Sequence, residues 1–391
     1  MSFDPPMDWV EKSLGECIEL KRGYDLPKRL RKTGDVPIIS SSGPSGWHDT
    51  AKIKAPGVVT GRYGTIGKVF YVNEDFWPLN TALYVRDFKG SNPRFVSYFL
   101  KTIRWDQYTD KAAVPGVNRN HVHLEKVRWP PLSEQRRIAN VLATLDNKID
   151  SNEKINLTLG KMSQALFRSW FIDFDHNPTN LVDSVLGSIP KGWRVGTLEE
   201  VADLNPRSWT KKKHPDAIEY VDLSNTSHGR ILNTTHYSWP DAPSRARRVL
   251  EPWDTIFGCV RPRNRSYALV HEEGLTGSTG FAVLRAKSPT GVAFVYLSTI
   301  TDTNVARLTR VADGAAYPAV RPHVVHETPC VIPPDSVLAD FDRIVRPLLE
   351  QIGRNEKESR TLAELRDTLL PKLTSGEIRV PEVETTKKGA T

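Results

Sequence analysis

The chain has 391 residues, 39% hydrophobic and 26% charged, with a formal net charge of +8. That length supports two or more domains with cores of their own, and the composition is ordinary for a globular protein. No run of 18 apolar residues offers a membrane span, and the opening MSFDPPMDWV lacks the basic and apolar regions of a signal peptide. Cys17, Cys259 and Cys330 are far apart and odd in number, which gives neither a disulfide framework nor a zinc pattern and fits a reducing cytoplasm.

The positive charge sits in two long blocks. Residues 1–130 carry 20 Lys and Arg against 14 Asp and Glu, and residues 176–333 carry 18 against 15. A basic surface is the expected footprint of a polyanion partner.

Taken in chain order, three early segments resemble enzyme motifs and fail on context. Asp4-Pro5-Pro6-Met7 resembles an adenine methyltransferase loop but carries Met where an aromatic ring should stack on the flipped base, and no glycine-rich strand precedes it. Glu19-Leu20-Lys21 has the Glu-x-Lys spacing of a nuclease, a triplet that arises by chance in a chain this charged. The stretch GRYGTIGKV (61–69) looks like a phosphate cradle, yet five residues separate Gly61 from Gly67 and Val69 stands where a hydroxyl should hold magnesium. Its β-rich flanks predict strand, basic turn, strand, with Gly61, Gly64 and Gly67 serving positive-φ geometry. His121 and His123 alternate on a predicted strand with no third metal ligand at recognisable spacing. No nucleophile, base and orienting group can be assembled, so the chain is expected to perform no chemistry alone.

An internal repeat organises the rest. AAVPGVNRNHV near Pro115 is echoed by AAYPAVRPHVV near Pro318, and the same offset relates Pro130-Pro131 to Pro333-Pro334, Ile149 to Ile352, and Asn152-Glu153-Lys154 to Asn355-Glu356-Lys357. Earlier parts align more loosely, Trp9 with Trp193 and ALYVR (82–86) with FAVLR (281–285), so the second copy holds insertions. Each copy is a basic, β-rich block followed, after a Pro-Pro stop and a Ser cap (Ser133, Ser336), by a long helix.

Leu142, Leu145, Ile149, Leu159 and Leu166 fall on heptad seam positions of the first helix, with Asn152 and Asn156 in the same seam. Val345, Leu348, Ile352, Leu362 and Leu369 are their equivalents in the second, and Asn355 matches Asn152. The matching seams predict an antiparallel coiled coil with the asparagines fixing register; the alternative, each helix packed on its own domain's core, stays open. A helix over residues 134–170 would be a spacer roughly 55 Å long.

The expected fold is therefore α/β (α+β): two tandem-duplicated globular domains separated by two long antiparallel helices, with pseudo-twofold symmetry. The boundaries are 1–132 and 179–334 for the globular domains, 133–178 and 335–380 for the spacers, and 381–391 for a disordered tail. Such a body suits DNA, because two-fold readers place their halves about a helical turn apart, and diverged copies should read two different half-sites.

The residues also carry a resemblance. PIISSSGPSGW (37–47), GVVTGRYGTIGKVFYV (57–72), FWPLNTALYV (76–85), PPLSEQRRIANVLATLDNKID (130–150), ALFRSWFIDFD (165–175) and LLPKLTSGEI (369–378) resemble the specificity subunit of type I restriction-modification enzymes along nearly the whole chain. The resemblance implies that the basic blocks are target recognition domains and that the helices also dock two methyltransferase subunits. Motor-nuclease subunits would join for restriction, with S-adenosylmethionine, ATP and magnesium bound by those partners and none by this chain. The second copy departs from the family's wording at IFGCVRPRNRSYALV (256–270) and PPDSVLADFDRIV (333–345).

Arginine to guanine is the commonest specific contact, while lysines and backbone amides position the duplex. The first block offers Arg62, Tyr63, Lys68, Asn118 and Arg119, with Ser41 and Ser42 as further polar partners. The second offers Lys211, Lys212, Lys213, Arg261, Arg263, Arg265 and Arg321, and Arg245, Arg247 and Arg248 form a cluster without a repeat counterpart. Two other functions compete with this one: a free-standing nuclease or methyltransferase fused to a reader, and a specificity-like subunit of another phage-defence methylation system. Apolar helix surface awaiting methyltransferase subunits predicts poor solubility alone.

Overall fold

The structure, a computed structural model, describes residues 8–109, 116–175, 180–314 and 317–381. The Asp4–Met7 quartet, Pro115 and the tail from residue 382 lie outside the described residues. The chain forms two compact units: one takes residues up to Ser151 together with those from Glu358 onward, the other Asn152–Lys357.

In the first unit the strands Glu19–Arg22, Ala82–Asp87, Gly57–Gly61 and Val69–Val72 form one four-stranded antiparallel sheet in that spatial order. Alternate side chains Leu20, Val58, Leu83 and Val85 go to a core shared with Phe95, Tyr98 and Phe99 of the helix Pro93–Thr102. Asn92 caps that helix by accepting from the Phe95 amide at 2.9 Å, with Pro93 in its first turn. A three-stranded sheet, Gly43–His48, Val36–Ser40 and Trp77–Pro78, is the second layer.

The second unit repeats the plan. Ala202–Leu204, Phe281–Ala286, Thr255–Gly258 and Tyr267–Leu269 take the same order as the first unit's sheet, and the helix Val292–Ile300 replaces Pro93–Thr102. Its accessory sheet has four strands, Thr235–Ser238, Ala217–Val221, Leu275–Ser278 and Ala246–Val249, which accounts for the longer second copy.

The long helices are Leu132–Phe171 and Asp335–Ser375. Both start ahead of the serines expected to cap them. Pro131 and Pro334 occupy the cap instead, their carbonyls accepting from Glu134 and Val337, each at 3.0 Å. Proline ahead of a helix holds the entering backbone at a fixed φ and leaves its carbonyl free to accept the first bonds.

Within the first unit Asp146 meets Arg366 at 2.8 Å and Lys148 meets Glu358 at 3.1 Å, so the helices run antiparallel. Within the second, Asn355 donates to Asn156 Oδ1 at 2.7 Å, Asn156 donates to the Ile352 carbonyl at 3.3 Å, and Asn152 to the Asn355 carbonyl at 3.4 Å. The asparagines thus sit at matching depth in one buried polar layer. The fold class read from the repeat and the seams is the one observed.

The two packing modes left open above coexist. Leu142 and Val345 are fully buried, but each joins its own unit's globular core, beside Leu370 and Leu373 in the first and Phe167, Phe171 and Phe341 in the second. Leu145, Ile149, Leu159, Leu166, Leu348, Ile352, Leu362 and Leu369 are half-buried. A seam of only two helices leaves its flanks open to water, so full burial comes where a domain covers it.

Candidate nucleic-acid interface

The expected strand–turn–strand at GRYGTIGKV is present, and its turn is pinned from below. The Arg62 and Tyr63 amides both donate to the Thr81 carbonyl, at 3.0 and 3.1 Å, and the Val117 amide donates to the Arg62 carbonyl at 3.0 Å. Gly64 and Gly67 have the expected positive φ. Gly61 serves close approach instead: a Cβ there would lie 1.7 Å from the Thr65 carbonyl oxygen.

The Arg62 guanidinium stacks on Tyr63, 4.4 Å from the ring centroid. Arg62, Asn118 and Arg119 come together in an open cleft of about 630 Å3, whose lining also includes Lys21, Arg22 and Tyr24. Lys21 and Arg22 are the functional candidates that sequence reasoning passed over. The signal was the adjacent basic pair before Gly23; only the sheet puts that strand end beside the 62–68 turn. Asn118 caps the helix Arg119–His123 through the Asn120 amide at 3.0 Å. This helix stands where a strand carrying His121 and His123 was expected, because the cap outweighs the short alternation. His123 accepts from the Leu20 amide at 2.9 Å and burial holds its pKa down, the state of a satisfied structural histidine.

Ser41, Ser42 and Lys68 are outside the cleft lining. The Ser41 amide donates to Thr81 Oγ1 at 3.4 Å, the Ser42 hydroxyl pairs with Ser40 at 3.1 Å, and exposed Lys68 rests over Phe70 at 5.4 Å.

The second unit joins the same two chain segments. Val260 bridges Ala319 as Tyr63 bridges Gly116, and the Val320 amide donates to the Cys259 carbonyl at 2.9 Å. Arg261, at φ +50°, is exposed and stacks on Tyr317 at 4.7 Å. Arg263 is exposed on the turn Pro262–Asn264, and exposed Arg321 takes the cap position that Asn118 holds in the first unit. Arg265 is spoken for: it pairs with Asp302 at 2.6 Å, a bond that raises its pKa further.

Lys211, Lys212 and Lys213 are exposed on a separate turn, closed by the Thr210 amide donating to the Lys213 carbonyl at 3.1 Å. Of the cluster without a counterpart, Arg245 pairs with Asp222 at 2.7 Å and burial lowers the pKa of Arg248. Arg247 lies over Trp239 at 4.5 Å, and His214 stacks on that ring at 4.2 Å.

Among the described residues no group of three or more His, Cys, Asp or Glu could hold a metal ion, and no helix is long and apolar enough to cross a membrane. Burial pushes the Cys17 and Cys259 thiols up to about 11, far from thiolate chemistry at neutral pH.

The two copies thus share a repeated sheet that presents a basic turn at the same place. Residues 6–161 match the family described as the type I restriction modification DNA specificity domain. The specificity subunit of the type I restriction enzyme MjaIX of Methanocaldococcus jannaschii is 24% identical over 412 residues, covering 97% of this chain and 95% of the relative. That of HindI of Haemophilus influenzae is 21% identical over 332 residues, covering 68% and 71%. The crystal structure of the type I S subunit from M. genitalium shares the fold, with a TM-score of 0.63 at 16% identity over 98% of this chain and 99% of that one. The resemblance to type I specificity subunits read from the motifs is borne out.

Proposed function

We propose that this chain is the DNA-specificity subunit of a type I restriction-modification complex and recognises a bipartite, asymmetric site. The observation that supports this most directly is the paired construction of the two turns. The same strands and the same bridge carry Arg62 and Asn118 in one copy, and Arg261 and Arg321 in the other. Equal scaffolds with unequal side chains read unequal base sequences.

In this reading the chain is non-catalytic. It positions adenine-N6 methyltransferase subunits on each half-site and recruits motor-nuclease subunits, in the cytoplasm. S-adenosylmethionine, ATP and magnesium belong to those partners. Lys21, Arg22 and Lys211–Lys213 hold phosphates, while Arg62, Asn118, Arg261, Arg263 and Arg321 reach base edges.

Single-molecule methylation mapping of the host genome, with the gene present and deleted, tests the proposal. The expected result is a gapped motif with an adenine methylated in each half that vanishes on deletion. Methylation unchanged while the neighbouring methyltransferase is expressed would refute it, and a continuous motif lost on deletion would retain DNA recognition but reject the division into half-sites.

A further inference from the structure

Two glycines lie inside the long helices as the second unit contains them, and they differ. Glycine is among the weakest helix formers, so one in a helix interior calls for a local reason. At Gly160 a Cβ would meet nothing within 4 Å. At Gly353 a Cβ would lie 2.6 Å from both Cγ and Nδ1 of His271 and 3.1 Å from its Cβ. Those atoms are at the root of the imidazole, so the ring cannot swing aside without leaving its place. Gly353 is buried, whereas Asp150, its repeat equivalent in the first helix, is exposed. The notch belongs to the second copy.

His271 is in turn held by the second recognition block. It packs edge-on against Trp253 at 5.5 Å, and the Trp253 amide donates to the Val270 carbonyl at 2.7 Å, tying the start of the strand Thr255–Gly258 to the end of its antiparallel neighbour Tyr267–Leu269. Arg346 also lies over the Trp253 ring, its guanidinium 5.0 Å from the centroid, and is itself fixed by Asp342 at 2.7 Å. One turn beyond Gly353, Glu356 meets Arg230 at 3.8 Å, and Arg230 belongs to the ribbon Thr226–Ile231 of the same block. Arg346, Gly353 and Glu356 fall within about 80° of one another round the helix at 3.6 residues per turn.

We propose that Gly353 is a positioning residue: the notch it leaves for His271 sets the angle of the second recognition block on its spacer helices, and so the gap between half-sites that the protein accepts. This rests on the bipartite reading above. One base pair added to a gap turns one half-site by about 35° relative to the other, so an angle held at the protein is read out as a preferred gap length.

The test uses the full chain with its methyltransferase and duplexes carrying the mapped motif, the gap varied in single base-pair steps. Wild type is expected to favour one gap by about tenfold over its neighbours. Gly353→Ala is expected to move or flatten that preference while affinity for a non-specific duplex stays the same. Gly160→Ala, which fills open space, should leave the preference alone. An unaltered gap profile for Gly353→Ala, or equal weakening at every gap, overturns the proposal. Should Gly353→Ala fail to fold, His271→Ala gives the reading: a broadened gap supports the proposal and an unchanged one sinks it. A wild-type protein with no gapped motif would instead defeat the bipartite reading, a separate result.

Discussion

The turn after the central strand is built to one plan in both units and loaded differently in each. In the first, Arg62 leans on its own neighbour Tyr63 and shares a cleft with Lys21, Arg22 and Arg119. In the second, Arg261 leans on Tyr317 from the facing segment, Arg263 points outward, and Arg265 is held by Asp302. Backbone pairing survived the duplication because it depends on chain geometry shared by many side chains. The charges at the tips carried no such constraint and diverged.

The helices show the same contrast. In the first unit Asp146 is the polar hub, bonded to Arg366 at 2.8 Å and Tyr98 at 2.5 Å. At the equivalent position the second unit has buried Leu349, and its hub is the Asn152–Asn156–Asn355 layer beside Glu356.

The largest expected effect breaks the comparison at its root. Phe341 and its repeat equivalent Ile138 are each essentially fully buried in their own unit's core. Phe341→Ala is expected to cost about 3–5 kcal/mol and Ile138→Ala about 2–5 kcal/mol. Two calorimetric transitions, each lowered by one substitution only, would show that the units are held separately. Both falling together would show one cooperative body.

Next, Arg62→Ala should weaken specific binding by about 1–3 kcal/mol and relax preference at one position of one half-site, while Arg265→Ala should leave base preference in the other half unchanged. A change of motif on losing Arg265 would mean that Asp302 releases it on DNA.

Titration sharpens the helix comparison. Burial pushes the Glu356 carboxyl up to about 7, with Arg230 opposing. A carboxyl held protonated in the folded state favours folding below its unfolded pKa and loses that contribution as pH rises to about 7, here on the order of 3 kcal/mol. At Asp146 burial, which opposes ionisation, is outweighed by hydrogen bonds from Arg366 and Tyr98, so its pKa is lowered and its contribution disappears only as acid protonates it. Glu356→Gln should therefore flatten the decline of melting temperature from pH 5 to 8 and leave acid unfolding unchanged; a slope that persists would assign the decline elsewhere.

The smallest effect concerns Lys21. Lys21→Ala should weaken all duplexes alike and reduce the salt-dependence slope by about one, and a sequence-selective loss would promote it from phosphate to base contact.

Much of this was legible in the chain itself. The constant offset exposed the duplication, β-rich runs around a glycine-rich turn exposed the strands Gly57–Gly61 and Val69–Val72, and heptad leucines with matching asparagines exposed the helix pair. Local departures came from short-range competition: Asn118 turned an alternating His-Val-His into a helical turn, and Pro131 took the cap expected of Ser133.

What the sequence determined by itself was therefore everything written in periodicity and repetition, because pleat and helix impose a spacing that any reader of the chain can count. Which cations remain available to a partner was decided only by the tertiary structure. Arg245 and Arg265 are captured by Asp222 and Asp302, Lys21 and Arg22 are delivered to Arg62 by strand pairing, and Gly353 becomes a notch only because His271 arrives there. Electrostatic partnership and steric fit depend on distances of a few ångströms between residues far apart in the chain, and no local pattern records those distances.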